Sequence, residues 1–274
     1  MNPIKSPNSG SSYIKLIGTS SPGLIMILLD QSGSMSESNK AQDAAKAVNR
    51  VIYEIMLASR AGEIIKPRCY VGIIGYGEIV YPIVGGTIAE VAAKPMRIEQ
   101  IEKKVADGAG GMVSIKMDMP VWVEPKAGSG TPMAEAFEQA YSIIEKWIQS
   151  NPNSFPPIII NVTDGEPNDH TSARVAAEKV MNLGTSDGKV LLFNAHITGT
   201  NLPTEIQLPS NTSEIADQYA KFLFDISSEI PPRLLQAAQD LGLKPQPNAR
   251  GLVFNATTET LIKLLTFGSS IATR

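Results

Sequence analysis

The chain has 274 residues, 43% of them hydrophobic, with a formal net charge of -3 and one cysteine. That length and apolar content can build one substantial core, and the small net charge, with no block of like sign, argues against nucleic acid or an anionic membrane as a general partner. The lone Cys69 excludes an internal disulfide, fits a reducing compartment, and reads as a buried strand residue rather than a nucleophile.

Residues 1–21 are rich in Ser, Gly, Asn and Pro and read as a flexible leader. They lack the run of about 7–15 apolar residues that a secretion signal requires, and no later window approaches the roughly 18 consecutive apolar residues of a membrane span. The expectation is a cytoplasmic protein with a single domain over residues 22–270. Leu24 to Leu29 (L-I-M-I-L-L) is an unbroken apolar run, as suits a strand covered on both faces of a parallel sheet. Asp30 stands at its end. Asp30, Ser32 and Ser34 then offer one anionic and two neutral hard oxygens at alternate loop positions, with Gly33 between the serines giving backbone freedom. Such a loop suits a metal ion.

Ala41, Ala44, Ala45, Val48, Val51, Ile52, Ile55 and Met56 recur at helical spacing, and Ser38 or Asn39 can cap that helix. Arg68 to Tyr76 is the next strand, and Glu78 to Val84 returns beside it through Gly77. Residues 85–130 form an insertion with a helix candidate at Arg97 to Val105 and a glycine-rich break at Gly108 to Gly111. Val113 to Val123 alternates as a strand does. Pro120 places that strand at an edge or in a bent ribbon, and Trp122 should pack locally.

Thr131 opens a helix with Pro132 at its first position and Met133, Phe137, Ala140, Tyr141, Ile144 and Ile148 on its buried face. The apolar strand Pro157 to Val162 runs into Thr163 and Asp164. A helix from Ser172 to Leu183 stops at Gly184. A strand at Lys189 to Ile197, a helix at Ile215 to Phe224, a short strand at Leu252 to Asn255 and a helix through Leu265 complete the chain. Alternating strands and helices predict an α/β fold with a doubly wound sheet. In such sheets ligands bind at the carboxyl ends of strands, where strand order reverses. If the strands ending near Asp30 and Asp164 are neighbours, their loops meet above one crevice.

Three loops carry matching chemistry: D-Q-S-G-S at Asp30 to Ser34, G-S-G-T-P-M at Gly128 to Met133, and V-T-D-G-E-P at Val162 to Pro167. Together they resemble the metal-ion-dependent adhesion site (MIDAS) of von Willebrand factor A (vWA) domains, whose pattern D-x-S-x-S, then Thr, then Asp falls on Asp30, Ser32, Ser34, Thr131 and Asp164. The resemblance spans roughly residues 22 to 270. It implies a Rossmann-like, mostly parallel sheet with one antiparallel edge strand. It also implies that Ser32 and Ser34 bind the ion directly, that Thr131 and Asp164 bind directly or through water, and that Asp30 mostly holds waters and hydroxyls in place. A swap between Thr131 and Asp164 as direct ligand would, by the same resemblance, shift the last helix near residues 257–265. Hard oxygen donors favour Mg²⁺, with Mn²⁺ or Ca²⁺ next, and disfavour zinc.

The implied function is a non-catalytic, metal-dependent protein–protein interaction module whose cation binds an Asp or Glu carboxylate of a partner protein. Within the family, V-W-V-E-P at 121–125, T-D-G-E-P at 163–167 and R-G-L-V-F-N-A at 250–256 resemble bacterial stand-alone proteins of the tellurite-resistance-associated group, which are linked with a Ser/Thr kinase and a metal-dependent protein phosphatase. The alternative is a Mg²⁺-dependent phosphohydrolase using Asp30 as nucleophile. Haloacid-dehalogenase-like enzymes carry a second aspartate two residues on as general acid, and Ser32 here cannot serve so at neutral pH. Neither a G-x-x-x-x-G-K-[ST] phosphate loop nor a G-x-G-x-x-G turn occurs. Glu166 and Asp169 read as solvated loop charge. His170 and His196 are too far apart for a motif and read as structural, although both could lie on the same face as the site.

Overall fold

The computed structural model describes residues 12–106, 111–197 and 204–270. Its elements run β1 (Gly23–Asp30), α1 (Lys40–Ala58), β2 (Cys69–Tyr76), β3 (Val80–Thr87), α2 (Ile88–Ala92), β4 (Arg97–Ala106), β5 (Met112–Val121), α3 (Met133–Ser150) and β6 (Ile158–Thr163). The second half continues with α4 (His170–Met181), β7 (Leu191–His196), β8 (Ile206–Gln207), α5 (Gln218–Asp225), α6 (Pro232–Asp240), β9 (Leu252–Phe254) and α7 (Thr258–Ser270).

Seven strands form one sheet in the order β8-β9-β7-β6-β1-β2-β3. β1 pairs in parallel with β2 and β6, and β7 pairs in parallel with β6 and β9. β3 and β8 run antiparallel to their neighbours at the two edges. The doubly wound, mostly parallel α/β sheet expected from the sequence is therefore present, with a second antiparallel edge where one was expected. β8 is only two residues long, too short to leave a periodic signal.

The apolar run of β1 is buried along its whole length because helices cover both faces. Ile25, Ile27 and Leu29 join the core that includes residues of α1, α6 and α7, whereas Leu24, Met26 and Leu28 join the core of α3, α4 and α5. Each such side chain contributes about 1.5–3 kcal/mol by leaving water. A buried polar chain also crosses the second core: the Tyr76 hydroxyl donates to Asn161 Oδ1 at 2.7 Å, Asn161 Nδ2 to Asn194 Oδ1 at 3.0 Å, and Asn194 Nδ2 to Ser227 Oγ at 2.9 Å. It ties β2, β6 and β7 to the end of α5.

Three local expectations are corrected. Arg97 to Val105 is not a helix but the strand β4, paired with β5 from Arg97 opposite Val121 to Ala106 opposite Met112. The apolar residues Ile98, Ile101 and Val105 are spaced by three and four, which mimics a helix face; in the ribbon Ile98 points to solvent while Met119 and Val121 are buried. α1 starts after Asn39, but neither Ser38 nor Asn39 caps it, since Asn39 takes a left-handed φ of 63° and makes no side-chain cap. Thr131 likewise does not open α3, which starts at Met133 after Pro132 without a side-chain cap.

Residues 108–110 of the glycine-rich break lie outside the described residues. Trp122 packs locally as expected, buried, with its indole N–H donating to the Val91 carbonyl at 2.8 Å. Cys69 is a buried β2 residue, and burial pushes its thiol up to about 12. In the segment expected as leader, the Ile14 and Lys15 N–H groups donate to the Asp187 carboxylate at 2.9 and 3.0 Å, and Ile17 is buried. Among the described residues no helix is long and apolar enough to cross a membrane.

Candidate metal centre

Strand order reverses between β1 and β6, which are adjacent and in register from Ile25 opposite Ile158 to Leu29 opposite Val162. Parallel pairing brings their carboxyl ends to the same rim, so Asp30 and Asp164 arrive side by side. Asp30 is 1% exposed. Its Oδ1 accepts the Ser32 N–H at 2.8 Å, the local bond of an Asx turn, and its Oδ2 accepts the Thr163 hydroxyl at 2.6 Å. Burial raises its pKa to about 6, against the opposing pull of the hydrogen bonds from Thr163 and Ser32.

The three loops are held together by backbone contacts. A Cβ on Gly33 would stand 2.9 Å from the Gly128 carbonyl oxygen, and the Gly128 N–H donates to the Gln31 carbonyl at 2.7 Å. Gly33 is thus required for close approach of two loops rather than for a left-handed φ. Asn168 fastens the second loop to the third: its Oδ1 accepts the Thr131 N–H at 2.8 Å, and its own N–H donates to the Thr131 carbonyl at 3.0 Å. Gly165, at φ 137°, directs its N–H onto the Thr163 hydroxyl at 3.0 Å.

Above Asp30 the side chains converge. Ser32 Oγ and Ser34 Oγ lie 3.1 Å apart, and Ser34 Oγ donates to Asp164 Oδ1 at 2.8 Å. Ser34, Thr131 and Asp164 line one cleft of about 500 Å³ together with Lys40, Glu166 and Asn168. All five residues singled out in the sequence therefore meet at one place, with Asp30 and Ser32 buried beneath and Ser34, Thr131 and Asp164 facing the opening. The donors are three hydroxyls and two carboxylates. Among the described residues no group of three or more His, Cys, Asp or Glu side chains is arranged to hold a metal, so an ion here depends on the hydroxyls. That set of hard oxygens suits a divalent cation held by oxygen ligands.

Three residues of the site carried no sequence signal: Thr163, Asn168 and Lys40, whose ammonium lies 2.9 Å from Asp164 Oδ2. Asp169 caps α4, accepting the Thr171 and Ser172 N–H groups at 3.0 and 3.3 Å. Glu166 lines the cleft together with Tyr219. His196 is buried, its pKa lowered by desolvation, and its ring is stacked on Phe254 at 5.0 Å. His170 stacks on Tyr219 at 5.9 Å. Neither histidine lines the cleft. Gly184 to Gly188 (G-T-S-D-G) has the spacing of a hydrolase nucleophile elbow, but it joins two paired two-residue strands, and the Ser186 hydroxyl is bonded to Asn153 Oδ1 at 3.1 Å.

No protein-family model matches the chain, and no curated protein matches it. Among solved structures it is similar to the pilus adhesin SpaC from Lactobacillus rhamnosus GG in its open conformation, with 11% identity over 94% of this chain and 31% of that one and a TM-score of 0.54. It is also similar to proximal thread matrix protein 1 from the mussel byssus with a zinc-occupied MIDAS motif, with 13% identity over 92% of this chain and 48% of that one and a TM-score of 0.48. A third is the ArnB paralog VWA2 from Sulfolobus acidocaldarius, with 17% identity over 65% of this chain and 35% of that one and a TM-score of 0.36. The chain spans between about a third and a half of the length of these structures. At such identities the likeness is one of fold. Its strand order, two covered faces and antiparallel edges make it a Rossmann-like, doubly wound α/β fold, shared with SpaC over 94% of this chain.

Proposed function

We propose that the chain is a non-catalytic interaction module in which Ser32, Ser34, Thr131 and Asp164, supported by Asp30, hold one divalent cation, Mg²⁺ in the first place and Mn²⁺ or Ca²⁺ as substitutes. The observation that carries this reading is the convergence of Ser32 Oγ, Ser34 Oγ and Asp164 Oδ1, linked at 3.1 and 2.8 Å although Asp164 is 130 residues from Ser34. When bound, the ion supplies a hard positive centre for an anionic oxygen, most simply an Asp or Glu carboxylate of a partner protein. Asp30 orients the donors from below: its carboxylate fixes the Ser32 backbone and the Thr163 hydroxyl, and so the two loops that present Ser32 and Asp164. The open cleft beside Thr131 gives a partner side chain access.

The phosphohydrolase alternative needs Asp30 as an accessible nucleophile. The 1% exposure of Asp30 and the hydrogen bond on each of its carboxylate oxygens support the anchoring reading over the nucleophilic one. The finer assignment, a bacterial cytoplasmic role in a tellurite-resistance-associated system linked with a Ser/Thr kinase and a metal-dependent phosphatase, rests on the short strings at 121–125, 163–167 and 250–256. Calorimetric titration of Mg²⁺ into the wild type and into Ser32→Ala/Ser34→Ala tests the core of the proposal. Binding to the first and at least about tenfold weaker binding to the second is expected, since two of few direct donors are gone. Equal affinity would overturn it.

A further inference from the structure

Lys40 is the first residue of α1, where the helix dipole disfavours a cation. It is nonetheless 8% exposed, a degree of burial that lysine seldom shows without a partner. Two successive left-handed residues, Ser38 at φ 51° and Asn39 at φ 63°, turn the chain immediately before it, and such conformations persist only where the surroundings over-determine them. The ammonium sits 2.9 Å from Asp164 Oδ2 and 3.3 Å from the Ser34 carbonyl oxygen, with the exposed Glu37 carboxylate at 3.5 Å. Asp164 Oδ1 meanwhile accepts the Ser34 hydroxyl. The carboxylate assigned to the divalent ion is therefore already shared with a cation that belongs to the chain.

We propose that Lys40 is a tethered cation that competes with the divalent ion for Asp164 and sets the affinity of the site; this inference rests on the metal reading above. The charge count gives the consequence. Asp30 and Asp164 together balance a divalent ion; Glu37, 3.5 Å from the ammonium, and Glu166 on the cleft are exposed and screened by water, so the buried ammonium leaves the loaded site with an uncompensated positive charge. That excess weakens retention of the ion and is cancelled when an incoming carboxylate arrives. Lys40 thereby couples the two events: the ion is held loosely alone and tightly with an anionic ligand. A purely positioning role, in which the ammonium holds Asp164 ready for the ion, predicts the opposite sign on removal.

Titration of Mn²⁺ into the full chain and into Lys40→Met, Lys40→Gln and Lys40→Arg decides between them. Removing a unit charge this close to a divalent ion should tighten binding about tenfold or more in both neutral variants, whereas Lys40→Arg should stay within about threefold of the wild type. Lys40→Gln keeps a donor for Asp164 and serves if Lys40→Met does not fold. Unchanged or weaker binding in a folded neutral variant overturns the inference. If the serine double variant loses the ion while Lys40→Gln equals the wild type, only the role of Lys40 falls. If folded wild type and Lys40→Gln both bind no ion, the metal reading falls and this inference with it.

Discussion

The Thr163 hydroxyl donates to Asp30 Oδ2 at 2.6 Å, joining residues 133 positions apart at the ends of two adjacent parallel strands. Both residues are buried, and the same hydroxyl accepts the Gly165 N–H at 3.0 Å. The bridge fixes the third loop on the first.

Thr163→Val keeps the shape and removes both bonds, leaving one oxygen of a buried carboxylate without its donor. Loss of a hydrogen bond to a charged group costs about 1.5–3 kcal/mol, so the midpoint of urea unfolding should fall accordingly. Thr163→Ser should recover most of that loss. A Thr163→Val protein as stable as the wild type would show that water replaces the hydroxyl at no cost.

Asp30 gives the metal-free protein a defined pH dependence. Its carboxyl is raised to about 6 from 3.8 by burial, so the folded state prefers the neutral acid. The resulting stabilisation is complete below the unfolded value of 3.8 and is lost as pH rises through about 6; a rise of that size corresponds to about 3 kcal/mol. Asp30→Asn abolishes this titration. In chelator, wild type should therefore lose about 3 kcal/mol relative to Asp30→Asn between about pH 4 and pH 7. Saturating Mg²⁺ should flatten that difference, because a nearby cation favours the charged form. A difference constant with pH in chelator would refute the account.

β1 was legible because six consecutive apolar residues need cover on both faces, and the five site residues were legible from their types and their order along the chain. Their meeting followed once β1 and β6 proved to be neighbours. Lys40 and Thr163 were not legible, since each acts on a partner 124 or 133 residues away and neither belongs to a local pattern. The ribbon strand β4 was misread because Ile98, Ile101 and Val105 satisfy helical spacing, while in the ribbon Ile98 is exposed rather than on a buried helix face. By contrast, α2 had a readable signal: Thr87 and Glu90 form a reciprocal capping box at its start. At α6, Pro232 likewise marks a first helical turn.

Asn49 on α1 governs how the chain returns from the β4–β5 ribbon toward the loop carrying Thr131. Its Oδ1 accepts the Trp122 and Val123 N–H groups at 2.8 and 3.0 Å, and its Nδ2 donates to the Val123 carbonyl at 2.8 Å. All three backbone groups are in buried residues, and an unsatisfied buried polar group costs about 1–3 kcal/mol. Asn49→Ala orphans the three together, with partial recovery if water enters, so a loss of about 3–5 kcal/mol in urea unfolding is expected. Amide exchange separates the local effect from a global one: Trp122 and Val123 should lose protection in Asn49→Ala, while Ile25 and Ile27 in β1 keep protection in proportion to the remaining global stability. If the variant loses less than about 1 kcal/mol and both amides stay protected, Asn49 is not what holds this segment.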